Sequence, residues 1–212
     1  MTLYYEDEGI RLFYGDNREN MEWTSAQVMI TDPPYGINYL SGSRHTPHDS
    51  IVGDNDAQLR DDVIQIWGDK PALVFGNWRV IRPEMTRQVL IWGKGNSPGM
   101  GDLSLPWGPS YEEIYVLGSG WVGKRRNAVY IINTLKVTHE AREHPTPKPV
   151  SLIEQLMEHC PTGIICDPFA GSGSTLIAAR LKGREAIGVE IDESYCEIIA
   201  NRLQQGVLDF DG

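Results

Sequence analysis

The last third of the chain alternates strand-like and helix-like segments, and this alternation constrains the fold more than any other feature. A short apolar strand at 163–166 leads through a glycine-rich turn into a helix at 173–181, and a strand at 186–189 leads into a helix that begins after Asp192. Strand–helix–strand–helix runs of this kind form parallel sheets with helices on their faces. The pattern therefore predicts an α/β fold with a doubly wound, mostly parallel sheet.

The first two thirds of the chain add more elements of the same two kinds. With 212 residues, no internal repeat and no low-complexity linker, the chain suits one domain with a sizeable core. Apolar patterning predicts strands at 11–14, 27–31, 72–75, 89–92, 114–117 and 129–132, and helices at 57–67 and 149–160.

Composition argues against several broad classes of protein. No apolar run approaches the roughly 20 residues of a membrane span, and residues 1–8 are acidic and lack the apolar core of a signal peptide. The three cysteines, Cys160, Cys166 and Cys196, form no metal-ligand pattern and lie in apolar surroundings. We therefore expect a cytoplasmic protein with buried reduced thiols, without a membrane partner and without a metal.

The turn at 167–175 has the features of a ligand-binding loop. Gly171 and Gly173 let the backbone turn tightly and approach a ligand, and the start of the following helix offers unpaired N–H groups. Asp167 and Glu190 each end a strand, and an acid at the second of two such strand ends is the usual partner for ribose hydroxyls. The turn predicts a nucleoside pocket, with a packing turn that binds no ligand as the alternative. The three-glycine dinucleotide pattern is incomplete, which disfavours a dinucleotide.

A second loop follows the strand at 27–31 and reads Asp32-Pro33-Pro34-Tyr35. Prolines cannot continue a strand ladder, so the strand ends at Asp32 and the loop is rigid. Taken alone, the tetrapeptide is equally compatible with an ordinary polyproline turn.

Together these motifs resemble those of the amino-group DNA methyltransferases, which use S-adenosylmethionine. Residues 167–175 resemble the cofactor motif, 144–149 (His-Pro-Thr-Pro-Lys-Pro) resemble the motif that precedes it in the β-type members, and 32–35 resemble the catalytic motif. The order, catalytic half first and cofactor half last, is also that of the β-type members. Weaker resemblances are found at 14–16, 91–94 and 111–114.

The resemblance implies a Rossmann-like methyltransferase fold in a single domain, 1–212. The catalytic half would span about 10–120, a target-recognition segment about 120–143, and the cofactor half about 144–205. Family members usually carry a longer recognition region, and reading a sequence takes several side chains in the major groove. We therefore expect a short or relaxed recognition sequence, and a homodimer in keeping with the family's habit.

The resemblance also implies roles for individual residues. Asp32 and the Pro33 carbonyl would accept the two amino hydrogens of the target base, Pro34 would stiffen the loop, and Tyr35 would stack on the flipped base. Pro147 departs from the family, because many members carry a polar residue there. The cofactor S-adenosyl-L-methionine would be bound by Asp16, Thr146, Lys148, Asp167, Phe169, Gly171, Gly173 and Glu190.

The net charge of −10 argues weakly against a nucleic-acid partner, because phosphate binding needs a local positive field. Lys124, Arg125 and Arg126 form the basic cluster that could supply this field. A solvated basic turn is the alternative interpretation of the cluster.

The expected function is methylation of the N6 amino group of adenine in double-stranded DNA, as in restriction–modification. In this family Asp at the first catalytic position favours adenine, whereas Ser is commoner in N4-cytosine enzymes, so N4-cytosine methylation is the alternative. Relatives that act on protein or RNA amides usually carry Asn at the position of Asp32. An inactive DNA- or partner-binding module is the alternative from another class.

Overall fold

A nine-stranded mixed sheet forms the centre of the molecule. The computed structural model describes residues 2–19, 21–34, 57–95, 99, 101–133 and 147–208. In these residues the strands are β1 (Thr2–Asp7), β2 (Ile10–Tyr14), β3 (Val28–Thr31), β4 (Ala72–Gly76), β5 (Gln88–Gly93), β6 (Tyr111–Leu117), β7 (Val129–Ile131), β8 (Ile165–Asp167) and β9 (Ala186–Glu190). The α-helices are α1 (Gln58–Trp67), α2 (Val150–Met157), α3 (Ser174–Leu181) and α4 (Glu193–Leu208), and a 3-10 turn covers Glu22–Ser25.

The strand order is β1-β2-β9-β8-β3-β4-β6-β5-β7. The five strands from β2 to β4 are mutually parallel. β1 is antiparallel to β2, and β6 runs antiparallel between β4 and β5. The predicted mostly parallel α/β sheet is confirmed, and β1 and β6 are its reversed strands.

Hydrophobic clusters cover both faces of the sheet, as a doubly wound fold requires. Alternate residues of β4 point to opposite faces: Leu73 and Phe75 join the cluster that contains α2, α3 and α4, whereas Ala72 and Val74 join the cluster that contains α1. Strands buried on both faces have nearly continuous apolar sequences, which is why the sequence located them.

The strand β1 was missed from the sequence because it lacks apolar alternation. Five of its six residues are exposed, and it pairs along one side with β2 at the edge of the sheet. Arg180 of α3 anchors β1. Arg180 Nη2 lies 3.0 Å from Asp7 Oδ2, and Arg180 Nη1 donates a hydrogen bond to the Tyr5 hydroxyl at 3.1 Å.

Two other expectations can be compared with the described residues. Cys160, Cys166 and Cys196 are all buried and free, as expected. Asp192 caps α4, because its Oδ1 accepts a hydrogen bond from Ser194 N at 2.8 Å. No described helix is long and apolar enough to cross a membrane.

Because five strands run in the same direction, their carboxyl ends lie together on one side of the sheet and their amino ends on the other. We call the edge at which β2, β3, β4, β8 and β9 end the carboxyl edge, and the opposite one the amino edge. Because β6 is reversed, it begins at the carboxyl edge and ends at the amino edge. Ser119, just after β6, accordingly donates its N–H to Asp69 O, just before β4, at 3.2 Å.

Candidate active site

The carboxyl edge collects the acidic residues that the sequence singled out. Asp32 follows β3, Asp167 is the last residue of β8, and Glu190 is the last residue of β9. Asp16 lies two residues after β2, and Gly15 N–H donates to Glu190 O at 2.9 Å. Since β2, β9, β8 and β3 are neighbours in this order, the two predicted motifs meet at one place.

Asp167 links the end of β3 to the glycine-rich turn. Its Oδ1 accepts hydrogen bonds from Thr31 Oγ1 at 2.7 Å and from Phe169 N at 3.1 Å. Burial raises the pKa of Asp167 to about 7, although these hydrogen bonds act in the opposite direction. The nearby charge of Asp32 adds to the rise. A carboxyl that is half protonated near neutral pH therefore lies beside the catalytic loop.

Glu190 shapes the glycine-rich turn from the neighbouring strand. Its Oε2 accepts a hydrogen bond from Gly171 N at 2.7 Å, and its Oε1 accepts one from Asp192 N at 2.9 Å. Burial raises the pKa of Glu190 against these two bonds. Each carboxylate oxygen has a second lone pair, so the side chain keeps capacity for a ligand hydroxyl.

The turn itself depends on glycine. Gly171 and Gly173 have φ values of 50° and 81°, in the left-handed region. A Cβ on Gly173 would lie 2.9 Å from Ile199 Cγ1 of α4, so no larger side chain fits without a shift. At the start of α3, the buried hydroxyl of Ser174 finds no hydrogen-bond partner among the described residues.

Asn17 joins the site without having been predicted. Its Nδ2 donates to Pro168 O at 2.8 Å, which ties the loop after β2 to the glycine-rich turn. Its buried Oδ1 has no partner in the part of the chain that the structure describes. The neighbouring Asp16 instead turns to Arg18, which donates from Nε at 2.9 Å and lowers the pKa of Asp16. Only the position of Asn17 next to Asp16 could have signalled it.

A lysine contacts the first residue of the Asp32-Pro33-Pro34-Tyr35 motif. Lys148 Nζ lies 2.5 Å from Asp32 Oδ2 and 3.1 Å from Glu112 Oε2. Burial lowers the pKa of Lys148, but the two carboxylates outweigh burial and raise it. The sequence assigned Lys148 to the cofactor pocket, whereas the structure directs its ammonium at Asp32. Pro33 is buried and Pro34 is half-buried.

Glu112 is the second residue that sequence reasoning missed. It lies at the start of β6, and its Oε1 is 2.6 Å from Lys94 Nζ, just after β5. Burial would raise the pKa of Glu112, but Lys148 and Lys94 outweigh burial and lower it. The segment 111–114 resembles a weak family block, yet its sequence alone indicates no partner for the carboxylate.

Other predicted residues lie away from this site or outside the described part. Lys124, Arg125 and Arg126 are exposed in the segment after β6, which starts from the amino edge. Arg126 Nη1 lies 3.0 Å from Glu158 Oε2, close to the end of α2. The structure therefore does not bring the basic cluster to Asp32. Tyr35 and Thr146 lie outside the described residues.

Comparisons with known proteins identify the family of the chain. The family model for N6/N4 DNA methylases matches residues 95–201. The putative methylase YubD of Escherichia coli K12 is 30% identical over an alignment 215 positions long, and the alignment covers 88% of each chain.

Solved structures share the fold at lower identity. The M1.HpyAVI–SAM complex has a TM-score of 0.66 and 20% identity, covering 92% of this chain and 98% of that one. The cytosine-N4-specific PvuII DNA methyltransferase has a TM-score of 0.71 and 13% identity, covering 93% and 87%. From its match to the family model and its similarity to YubD along most of both chains, the protein belongs to the amino-group DNA methyltransferases.

Proposed function

We propose that the protein transfers a methyl group from S-adenosyl-L-methionine to the N6 amino group of adenine in double-stranded DNA. The observation that carries the proposal is the hydrogen bond between Thr31 and Asp167, which joins the catalytic strand end to the glycine-rich turn. Methyl donor and acceptor must meet, and this contact brings their two motifs together at the carboxyl edge. Family membership supports the same reaction class.

The residues at the turn fit the cofactor. Within the described residues, the carboxylates of Asp167 and Glu190 accept hydrogen bonds from hydroxyl and backbone N–H groups. Such acids suit a ligand with a cationic sulfonium and an ammonium group. The unpartnered Ser174 hydroxyl and Asn17 Oδ1 offer further polar contacts, and the glycines let a ligand approach the backbone.

Residue roles follow from the family resemblance. Asp167, Phe169, Gly171 and Gly173 would surround the methionine part, Glu190 would hold the ribose, and Asp16 would lie near the adenine. The bound cofactor supplies a methyl group on a sulfonium whose leaving group is a neutral thioether. Thr146 and Lys148 would line the cofactor pocket from the other side, and Lys148 would also hold Asp32, because its ammonium lies 2.5 Å from that carboxylate.

The chain's own residues would activate the amine. An exocyclic amine is a poor nucleophile because its lone pair is conjugated with the ring. The Asp32 carboxylate would accept one amino hydrogen and the Pro33 carbonyl the other, drawing the lone pair out of the ring plane. Prolines fix φ and remove competing donors, so both acceptors stay in position. Asp32 would also stabilise the positive charge that develops on the nitrogen.

Tyr35 would stack on the extruded base. Base–aromatic stacking contributes about 1–3 kcal/mol, and extrusion costs a few kcal/mol. Stacking would therefore offset much of the cost of flipping.

N4-cytosine methylation is the second candidate. The reaction needs the same loop and the same donor, and the similarity in fold to the cytosine-N4-specific PvuII enzyme, with a TM-score of 0.71, supports it. Asp at position 32 favours adenine through the family resemblance, so adenine ranks first.

Nucleoside analysis separates these candidates. The protein is incubated with unmethylated genomic DNA and radiolabelled S-adenosyl-L-methionine, and the DNA is digested to nucleosides and chromatographed. We expect label in N6-methyl-2′-deoxyadenosine, and none with Asp32→Ala. Label in N4-methyl-2′-deoxycytidine would replace the first candidate by the second. No label in any DNA nucleoside would contradict amino-methyl transfer to DNA.

We further propose a short or relaxed recognition sequence. The segment expected to read bases, 120–143, is brief, and the regular structure in its described residues is the three-residue strand β7. Sequencing of methylated sites should give a short or degenerate motif, with modest, salt-sensitive DNA binding. A single strict site of six or more base pairs would contradict this proposal.

A homodimer is proposed from the family's habit. Sedimentation velocity at micromolar concentration should give a species of twice the chain mass, 23.8 kDa. A monomer under these conditions would exclude it.

A further inference from the structure

Four charged side chains of alternating sign lie in a row along the carboxyl edge. Lys94 Nζ is 2.6 Å from Glu112 Oε1, Glu112 Oε2 is 3.1 Å from Lys148 Nζ, and Lys148 Nζ is 2.5 Å from Asp32 Oδ2. We call these four residues the ion-pair array. Its formal charges sum to zero.

The ion-pair array follows the order of the strands. Lys94 succeeds β5 and Glu112 lies in β6, where it pairs with Trp92. β4 separates β6 from β3, and Lys148 Nζ lies 5.2 Å from the ring centroid of Phe75 in β4. The Lys148 side chain therefore bridges β4 and connects Glu112 with Asp32.

Stability alone does not account for this arrangement. The Lys148 and Glu112 side chains are only 12% and 16% exposed, and charges removed from water lose much of what they gain by pairing. Apolar residues of similar size often stabilise a fold as well or better. Moreover, Glu112 Oε2 has a cation beside it but no hydrogen bond with good geometry within the described residues. A use in positioning explains why charges are kept here.

We propose that Glu112 and Lys94 are positioning residues that orient the Asp32 carboxylate through Lys148; this role rests on the proposed function. A lysine side chain has many rotamers, so an ammonium that fixes a catalytic carboxylate must itself be held. Glu112 can hold it because β6 is rigidly paired on both sides, with β4 and with β5. Lys94 in turn holds Glu112.

The array also balances charge at the reacting nitrogen. A lone cation beside Asp32 would offset the negative charge that stabilises a developing positive charge. Glu112 shares the charge of Lys148, and Lys94 balances Glu112. On the other side of Asp32 lies Asp167, a like charge that Thr31 hydrogen-bonds. The Lys148 ammonium therefore contacts one acid that follows β3 and one acid of β6. Asp32 lies between this ammonium and Asp167 at the end of β8.

Glu112→Gln tests the array, because it removes the charge and keeps the size. We expect kcat to fall by about 10- to 100-fold, the effect of misplacing a catalytic group, while KM for DNA stays within about twofold. Losing a negative charge makes the surroundings of Asp32 more positive, so the acidic limb of the kcat–pH profile should move to lower pH. Glu112→Asp should recover part of the lost rate.

Glu113→Gln is the matched control. Glu113 is the adjacent residue of β6, its side chain is 4% exposed, and it is 2.7 Å from Arg82 Nη2. Removing its charge breaks a comparable ion pair that does not reach Asp32. We expect a lower melting temperature for both variants, but an unchanged kcat and pH profile for Glu113→Gln. Equal losses of kcat in the two variants would overturn the positioning role, and so would wild-type kcat in Glu112→Gln.

Lys94→Gln provides a second arm should Glu112→Gln not fold. Lys94 is at the outer end of the array and 21% exposed, so its loss costs less stability. We expect a several-fold fall in kcat, and an unchanged kcat would overturn the proposal. If the wild-type protein transfers no methyl group, the proposed function fails together with this role. If the wild-type protein is active and the Glu112 and Lys94 variants keep its kcat, only the positioning role is contradicted.

Discussion

The two edges of the sheet treat their polar groups differently. At the amino edge, long basic side chains are used to satisfy backbone carbonyls. Lys70 Nζ donates to Thr24 O at 2.5 Å and to Ala26 O at 3.0 Å, and Arg184 Nη2 donates to Pro161 O at 2.7 Å. These hydrogen bonds satisfy backbone carbonyls in the segments that precede the strands, so the basic side chains there stabilise the fold.

At the carboxyl edge, some buried polar groups lack hydrogen-bond partners in the part of the chain that the structure describes, and some buried carboxyls have raised pKa values. Buried polar atoms on Asn17 and Ser174 lack a hydrogen-bond partner there within the described residues, and the buried Glu112 carboxylate there is paired with lysine. Burial raises the pKa of both Asp167 and Glu190 at the same edge. Unmet hydrogen bonds and perturbed carboxyls concentrate at functional sites, so the contrast indicates which edge receives ligands. The predictions below pair a change at the carboxyl edge with a matched change at the amino edge.

The largest difference is expected between two aspartates. Asp32→Ala should lower the methyl-transfer rate by roughly 10²- to 10³-fold or more, because it removes the charge that stabilises the reacting nitrogen. Cofactor affinity, measured by calorimetry, should stay within a few-fold. Asp69→Ala, at the exposed amino edge, should leave both unchanged. Retained activity in Asp32→Ala would overturn the mechanism.

The next largest effect concerns Asp167 and pH. Burial raises the pKa of Asp167 to about 7, and a bound cation would favour its ionised form. Cofactor binding therefore expels a proton, and affinity should be about tenfold weaker at pH 6 than at pH 8.

Asp167→Asn should abolish this pH dependence and bind the cofactor about tenfold or more weakly at pH 8. Asp69→Asn serves as the amino-edge control and should behave as wild type in calorimetry at pH 6, 7 and 8. Equal wild-type affinities at these pH values would show that Asp167 does not sense the cofactor charge.

Local sequence located the carboxyl-edge groups that stand in motifs, such as Asp32 and Asp167, because the end of a buried strand is visible in its apolar pattern. It did not locate Glu112, and it gave no sign that Lys124 lies at the opposite edge from Asp32. Both outcomes have one cause, the reversed direction of β6. Strand direction depends on non-local pairing, here with β4 and β5, and a strand's own residues do not encode it. Reversal puts Glu112 beside Lys148 and sends the segment with Lys124 to the amino edge.

Alanine substitutions at two glycines, one at each edge, should differ in how much they lower the melting temperature. Gly173→Ala places a Cβ 2.9 Å from Ile199 Cγ1 at a φ of +81°, whereas Gly183→Ala, at the amino edge with a φ of +62°, meets nothing within 4 Å. Backbone strain of about 1–2 kcal/mol applies to both, and overpacking adds about 1–3 kcal/mol only to Gly173→Ala. Thermal melts should show the larger loss for Gly173→Ala, at about 2–4 °C per kcal/mol. Equal losses would mean that α4 yields to the new methyl group.

The smallest effect is expected for the basic cluster. The double variant Lys124→Ala, Arg125→Ala removes two exposed charges from the amino edge, on the side of the sheet opposite Asp32. We expect kcat/KM for DNA to change by less than about twofold, and the salt dependence of binding to keep its slope, because each lost phosphate contact would reduce that slope by about one. The measurement is a titration of DNA binding between low and moderate salt, alongside steady-state rates. A tenfold loss with a shallower slope would mean that DNA wraps to the amino edge, which would end the functional distinction between the two edges.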